Sequence, residues 1–138
     1  MKHWHASAVR LPVGTILAPR PDYEKRWSAY GVGRILEDLR PEGSLAHRDA
    51  VFMCNDAQDC DNAGAYCEWL FGVEPRGDVQ RHDMEWATRM DCLVSDGWPV
   101  DDPAIVELAR RYWAGEPSDN PTWELLAASA VIHTVEEW

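Results

Sequence analysis

The chain has 138 residues, 46% of them hydrophobic and 27% charged, which is the balance of one folding domain and excludes a disordered tail or a coiled coil as its main content. Lys and Arg number 13 against 24 Asp and Glu, a formal charge of -11. Such a surface repels phosphate backbones and anionic lipid and disfavours non-specific nucleic-acid binding, while it leaves open both a local basic pocket and a decoy that imitates nucleic acid to occupy a basic groove on a partner.

In chain order, Lys2 to Ser7 reads as a short opening strand, followed by a Pro-rich connection from Pro12 to Pro21. Gly31 to Arg40 sets Ile35, Leu36 and Leu39 on one helical face and stops at Pro41. Ala50 to Cys54 is an apolar run suited to a buried strand, and Asn55-Asp56 then caps a short helix carrying Ala57, Cys60 and Ala63. Tyr66 to Val73 alternates, with Cys67, Trp69, Phe71 and Val73 on one side, and is the clearest strand. Asp83 to Val94 spaces Met84, Ala87, Met90 and Val94 as a helix. Asp101 to Trp113 is the strongest helix, capped by Asp101 or Asp102, opened by Pro103, with Ile105, Leu108, Ala109, Tyr112 and Trp113 as its buried stripe. After a Gly115 to Pro121 loop, Trp123 to Ala127 and Ser129 to Glu136 read as two terminal strands. The order predicts an α+β fold, a single compact domain over residues 1–138 with mainly antiparallel sheet and short helices.

No run reaches the apolar length that spans a bilayer, the longest being Leu125 to Ile132, so no membrane partner is expected. Met1 to His5 is not backed by an apolar core or a small-residue cleavage site, and a cytoplasmic location is the expectation. Cys54, Cys60, Cys67 and Cys92 are then expected as reduced thiols. A zinc site can be drawn from them with His47 and His82, but their gaps match no usual ligand spacing, so no metal is expected.

The chain has no phosphate loop, dinucleotide fingerprint, nucleophile elbow or H-E-x-x-H. It does carry Trp4-His5-Ala6-Ser7, then Leu11-Pro12-Val13-Gly14-Thr15-Ile16-Leu17-Ala18-Pro19. His47-Arg48-Asp49-Ala50-Val51-Phe52 follows, then an Ala-rich stretch ending in Tyr66, and finally Thr122-Trp123-Glu124-Leu125-Leu126-Ala127. This succession resembles the ADP-ribosyltransferase-like superfamily, in the His-Tyr-Glu branch that includes small rifampin-modifying enzymes. The resemblance departs at Ala6, where glycine is usual, at Phe52, which stands for a tyrosine, and in the wide spacing from Phe52 to Tyr66, which leaves Cys54 or Asn55 as alternative lining of that strand end.

The resemblance implies an NAD+-dependent ADP-ribosyltransferase or NAD+ glycohydrolase. NAD+ would be the substrate, and the acceptor an unidentified protein, nucleic acid or small molecule. Glu124 would be the catalytic carboxylate, stabilising the oxocarbenium-like ribose that forms when the nicotinamide bond breaks. His5 would hold the adenosine ribose, with Ala6 and Ser7 contributing at the same strand end; Phe52 and Tyr66 would supply aromatic faces, and Arg48, with Arg10 and Arg20, positive charge for the pyrophosphate. Acceptor choice would lie in the loops Asp22 to Tyr30 and Gly115 to Asn120. Each residue also has an ordinary reading: His5 as a strand-end histidine, Glu124 as a solvent-facing strand residue opposite Trp123 and Leu125, Tyr66 as core or rim, Phe52 as core. On those readings the chain is a catalytically inactive acidic binding protein that inhibits a partner by occupying a basic site.

Overall fold

The computed structural model describes residues 3–20, 31–61 and 67–138. Its elements in chain order are β1 (His3–Ser7), β2 (Ile16–Leu17), α1 (Gly31–Asp38), a 3-10 turn (His47–Asp49), β3 (Val51–Cys54), α2 (Ala57–Asp61), β4 (Trp69–Arg76), β5 (Gln80–Asp83), α3 (Met84–Ser95), α4 (Pro103–Ala114), β6 (Trp123–Ala127) and β7 (Ser129–Glu137). The strands form one sheet in the order β2-β7-β4-β1-β3-β6-β5, with every neighbouring pair antiparallel. This is the α+β class that the succession of elements predicts.

The connection between β6 and β7 explains how the sheet is shaped. Only Ala128 separates them in the chain, whereas β3, β1 and β4 lie between them in the sheet. In a flat sheet they would be about 19 Å apart, at roughly 4.8 Å per strand, and one intervening residue reaches about 7 Å. The sheet must therefore curl until its two flanks meet. Its inner face is the first core, holding Leu17, Val51, Met53, Phe71, Val73, Leu125, Ala127, Ala130 and Ile132. Ala127 and Ala130, on either side of the corner, are completely buried, and small side chains are what so close an approach accommodates.

The outer face over β3, β6 and β5 is covered by helices, whose own stripes form the second core: Val32, Ile35 and Leu36 of α1, Trp86, Ala87 and Met90 of α3, and Ile105, Ala109, Tyr112 and Trp113 of α4. α4 forms where the sequence sets its signals. Asp102 Oδ1 accepts the Ala104 N–H at 2.9 Å, Pro103 occupies the first turn, and Gly115 ends the helix at φ +71°, a conformation that a Cβ disfavours. Leu39, expected on the buried face of the first helix, lies past its end and is exposed.

The sequence pattern does not announce β2 or β5. β2 lies inside the Pro-rich connection, and β5 is Gln80-Arg81-His82-Asp83, an edge strand without apolar alternation. Two of its polar residues are nevertheless buried, because tertiary partners satisfy them. Asp83 is the clearest case. It caps α3 by accepting the Glu85 N–H at 3.0 Å, and it gathers the 115–122 loop through the N–H groups of Ser118 at 2.7 Å and Thr122 at 3.0 Å. Burial pushes its carboxyl up, but these donors outweigh burial and hold it below the usual carboxylate range.

Candidate functional site

Strand register lines up one row of chemistry-bearing residues across four strands. Trp4 stands opposite Cys54, Cys54 opposite Glu124, and Glu124 opposite His82. Directly opposed residues share a sheet face, so all four project to the helix-covered side, and the next row on that side sets Phe52 opposite Leu126 and Leu126 opposite Gln80. Glu124 does lie opposite in facing to Trp123 and Leu125, as alternation requires, but α4 covers its side of the sheet and leaves it partly buried.

Tyr112 of α4 connects this row to the helix layer. Its hydroxyl lies 3.4 Å from Glu124 Oε2 and 2.7 Å from His47 Nε2. His82 stacks on the Tyr112 ring with centroids 4.5 Å apart and planes 22° off parallel, and its Nδ1 donates to the Tyr112 carbonyl at 2.8 Å. Trp113 closes the group by lying 5.3 Å from His47 and 5.1 Å from His82, centroid to centroid, while its indole N–H donates to the Leu36 carbonyl at 2.8 Å. The helical spacing that buries Tyr112 and Trp113 therefore also delivers a phenol to the carboxylate.

Charge is suppressed throughout this group. Desolvation pushes Glu124 up to about 7, with the Tyr112 hydroxyl opposing that rise. His47 is held down at about 4, by desolvation first and then by the charges of His82 and Arg40. His82 is lowered by burial, against the opposing effect of its bond to the Tyr112 carbonyl. Because a carbonyl only accepts, that bond fixes the His82 proton on Nδ1; the Nε2 lone pair is buried without a hydrogen-bond partner among the described residues.

Beside Glu124, the thiols of Cys54 and Cys60 are hydrogen-bonded to each other. That bond, followed by burial and nearby negative charge including Glu124, pushes the Cys54 thiol up. Cys60 is lowered, chiefly by its bond to Cys54 and also by the Ala6 N–H. All four cysteines are free thiols. Among the described residues, no group of three His, Cys, Asp or Glu side chains could hold a metal, and no helix is long and apolar enough to cross a membrane.

The fold brings together some of the sequence-predicted residues and separates others. Phe52 and Glu124 share the outer face, with the Phe52 ring 5.5 Å from His47. His5 follows Trp4 in β1 and pairs with Phe71, so alternation turns it to the inner face. Its ring stacks at 6.2 Å on Phe71, itself a core residue, and its Nδ1 donates to the Phe52 carbonyl at 2.7 Å. Burial lowers His5, the bond to Phe52 opposes, and Arg20 lowers it further. His5, expected to hold the adenosine ribose of the NAD+ on which Glu124 would act, thus occupies the opposite face of the sheet from Glu124, an odd number of register steps away.

The remaining candidates have local engagements. The Ala6 N–H is directed to Cys60, and the Ser7 hydroxyl closes a turn by donating to the Val9 carbonyl at 2.8 Å and accepting the Val9 N–H at 3.1 Å. Arg48 is exposed on the 3-10 turn, and Arg10 lies 5.4 Å over the Trp69 ring. Tyr66 and the Asp22 to Tyr30 loop lie outside the described residues. Sequence reasoning missed Tyr112, His47 and His82 as neighbours of Glu124. Tyr112 was legible only as part of a buried stripe, and no local signal pairs residues 47, 82, 112 and 124. Comparison with protein-family models and with curated proteins finds no match to this chain.

Proposed function

We propose that the protein acts on NAD+, breaking the bond between nicotinamide and ribose and passing ADP-ribose to an acceptor or to water, with Glu124 as the carboxylate beside the ribose. The observation that supports this reading is the setting of Glu124: partly buried, hydrogen-bonded by Tyr112, flanked across strands by Cys54 and His82, and titrating at about 7. A carboxylate withdrawn from water stabilises a developing oxocarbenium charge more strongly than one in bulk solvent, because the local dielectric is low. Its charged form is the useful one, so activity rises as pH passes through about 7. The acceptor is a protein, a nucleic acid or a small molecule, and the reading leaves its class open. Phe52 shares the Glu124 face and remains a candidate aromatic surface for nicotinamide. His5, facing the other side of the sheet, is no longer assigned to the same ribose.

The test is nicotinamide release from NAD+ by the full chain, alongside thermal stability with and without NAD+. The reading expects release, and a stabilisation of about 2.7 kcal/mol at NAD+ a hundredfold above its dissociation constant. Glu124→Gln keeps shape and hydrogen bonding but removes charge, and should lower release about a hundredfold to a thousandfold while binding survives. Glu136→Gln is the control, since Glu136 is exposed on β7, away from this row of residues. No release and no stabilisation would discard the enzymatic reading. The second reading, an inactive acidic binding protein, rests on the formal charge of -11; it expects no response to NAD+ and salt-sensitive binding to a basic protein partner.

A further inference from the structure

The hydrogen-bond chain behind Glu124 contains a phenol that can both give and accept, set between a neutral imidazole and a carboxyl. The Tyr112 hydroxyl has one proton, and among the described residues it meets His47 at 2.7 Å and Glu124 at 3.4 Å. A proton on a hydroxyl can point to only one of them. When Glu124 is ionised, it can only accept. Tyr112 then donates to Glu124, and its oxygen accepts from a His47 that carries its proton on Nε2. When Glu124 is protonated, it can donate to the Tyr112 oxygen. The Tyr112 proton then turns to a His47 Nε2 lone pair, with the His47 proton on Nδ1.

We propose that Tyr112 is the positioning residue of the Glu124 carboxyl and that the His47–Tyr112–Glu124 chain reverses its donor direction as Glu124 gains or loses a proton. The proton count balances. One proton is taken up by the site, Glu124 goes from carboxylate to carboxylic acid, and His47 exchanges one neutral tautomer for the other without changing charge. His47 is suited to this because burial keeps its ring neutral across the range in which Glu124 titrates. The hydroxyl thereby favours the ionised carboxylate and holds it in a fixed orientation. A carboxylate required beside a developing cation needs both, and in this respect the inference rests on the reading of Glu124 given above.

The other groups facing Glu124 do not provide this. Cys54 faces it from β3, with Cys60 and Asp59 behind. His82 faces it from β5, its Nδ1 proton committed to the Tyr112 carbonyl. On the far side of the chain, Arg40 and His82 are the charged and titratable groups that act on His47. Tyr112 alone among these is hydrogen-bonded both to the carboxyl and to a second group that can change its donor pattern.

The experiment is a pH titration of the full chain labelled in Glu side-chain carbon and His ring nitrogen, read by NMR. Glu124 should titrate near neutral pH, and the His47 nitrogens should exchange their protonated and unprotonated signatures at the same midpoint. Unchanged His47 nitrogens across the Glu124 titration would overturn the inference, using the parent protein alone. Tyr112→Phe should move the Glu124 midpoint upward by about one pH unit, the size of a hydrogen bond to a charged group at this length, and should abolish the His47 response. An unmoved midpoint in a folded Tyr112→Phe protein would equally overturn it. If the coupled titration is seen but no variant releases nicotinamide, the positioning chain stands and the NAD+ reading fails. If nicotinamide is released, its pH profile should shift with the Glu124 midpoint.

Discussion

Replacing Glu124 by Gln should make the protein more stable at alkaline pH, by an amount that grows with pH. Glu124 titrates at about 7 in the folded chain against 4.5 for an ordinary glutamate. A group whose folded value is raised contributes its stability fully below the unfolded value and loses it as pH rises through the folded one. The parent protein therefore forfeits stability between about pH 4.5 and about pH 7. At 1.36 kcal/mol per pH unit the loss approaches about 3 kcal/mol, or roughly 2–3 kcal/mol because the side chain is not wholly cut off from water. Gln resembles the protonated acid and forfeits nothing. Urea unfolding of parent and variant should give similar stabilities at pH 4.5 and a gap of roughly 2–3 kcal/mol in favour of Gln at pH 8.5. Comparing the two proteins at each pH removes the contribution of the histidines, which titrate in both. A gap independent of pH, or a variant weaker than the parent at pH 8.5, would show that burial does not raise the Glu124 carboxyl.

Other outcomes follow from neighbouring features. His47, held down at about 4 against 6.5 in an unfolded chain, contributes stability that is present above pH 6.5 and lost as pH falls through about 4; His47→Gln should flatten acid unfolding over that window, and an unchanged acid limb would contradict it. Asp83→Ala removes the acceptor for the backbone N–H groups of Glu85, Ser118 and Thr122, so stability should fall by about 3 kcal/mol or more, whereas a loss below about 1 kcal/mol in thermal unfolding would show that water replaces the carboxylate. A Cβ at Gly72 would collide with Thr134 Oγ1, to which the Gly72 N–H donates at 3.1 Å. Gly72→Ala should thus cost about 1–3 kcal/mol, and adding Thr134→Ala should restore most of it; strict additivity of the two in a double-mutant cycle would deny the clash.

The elements most legible in the sequence are those whose signals are local. Asp102, Pro103 and Gly115 delimit α4 within the chain segment that forms it, and the Trp69, Phe71 and Val73 alternation marks β4. β5 escaped because Gln80, Arg81, His82 and Asp83 carry no apolar period. What buries His82 and Asp83 is the Tyr112 carbonyl and the 115–122 loop, which are distant in sequence. Glu124 was singled out only through a resemblance, and the setting of its carboxyl was not legible in the sequence, since Tyr112 and the strands carrying Cys54 and His82 reach it only after the sheet and α4 have packed.

His5 shows the same division. Its strand was expected, yet the face it occupies follows from the pairing of Trp4 with Cys54, and a shift of one residue would have turned it to the Glu124 side. By itself the sequence determined the α+β class, the principal strands and helices and the acidic surface, because helix caps, hydrophobic period and charge act over a few residues. Register, the curl required by the one-residue connection between β6 and β7, and the union of His47, His82, Tyr112 and Glu124 were decided only by tertiary structure, because each depends on which distant strand or helix comes to lie alongside, and desolvation of a carboxyl is a property of that packing and not of its neighbours in the chain.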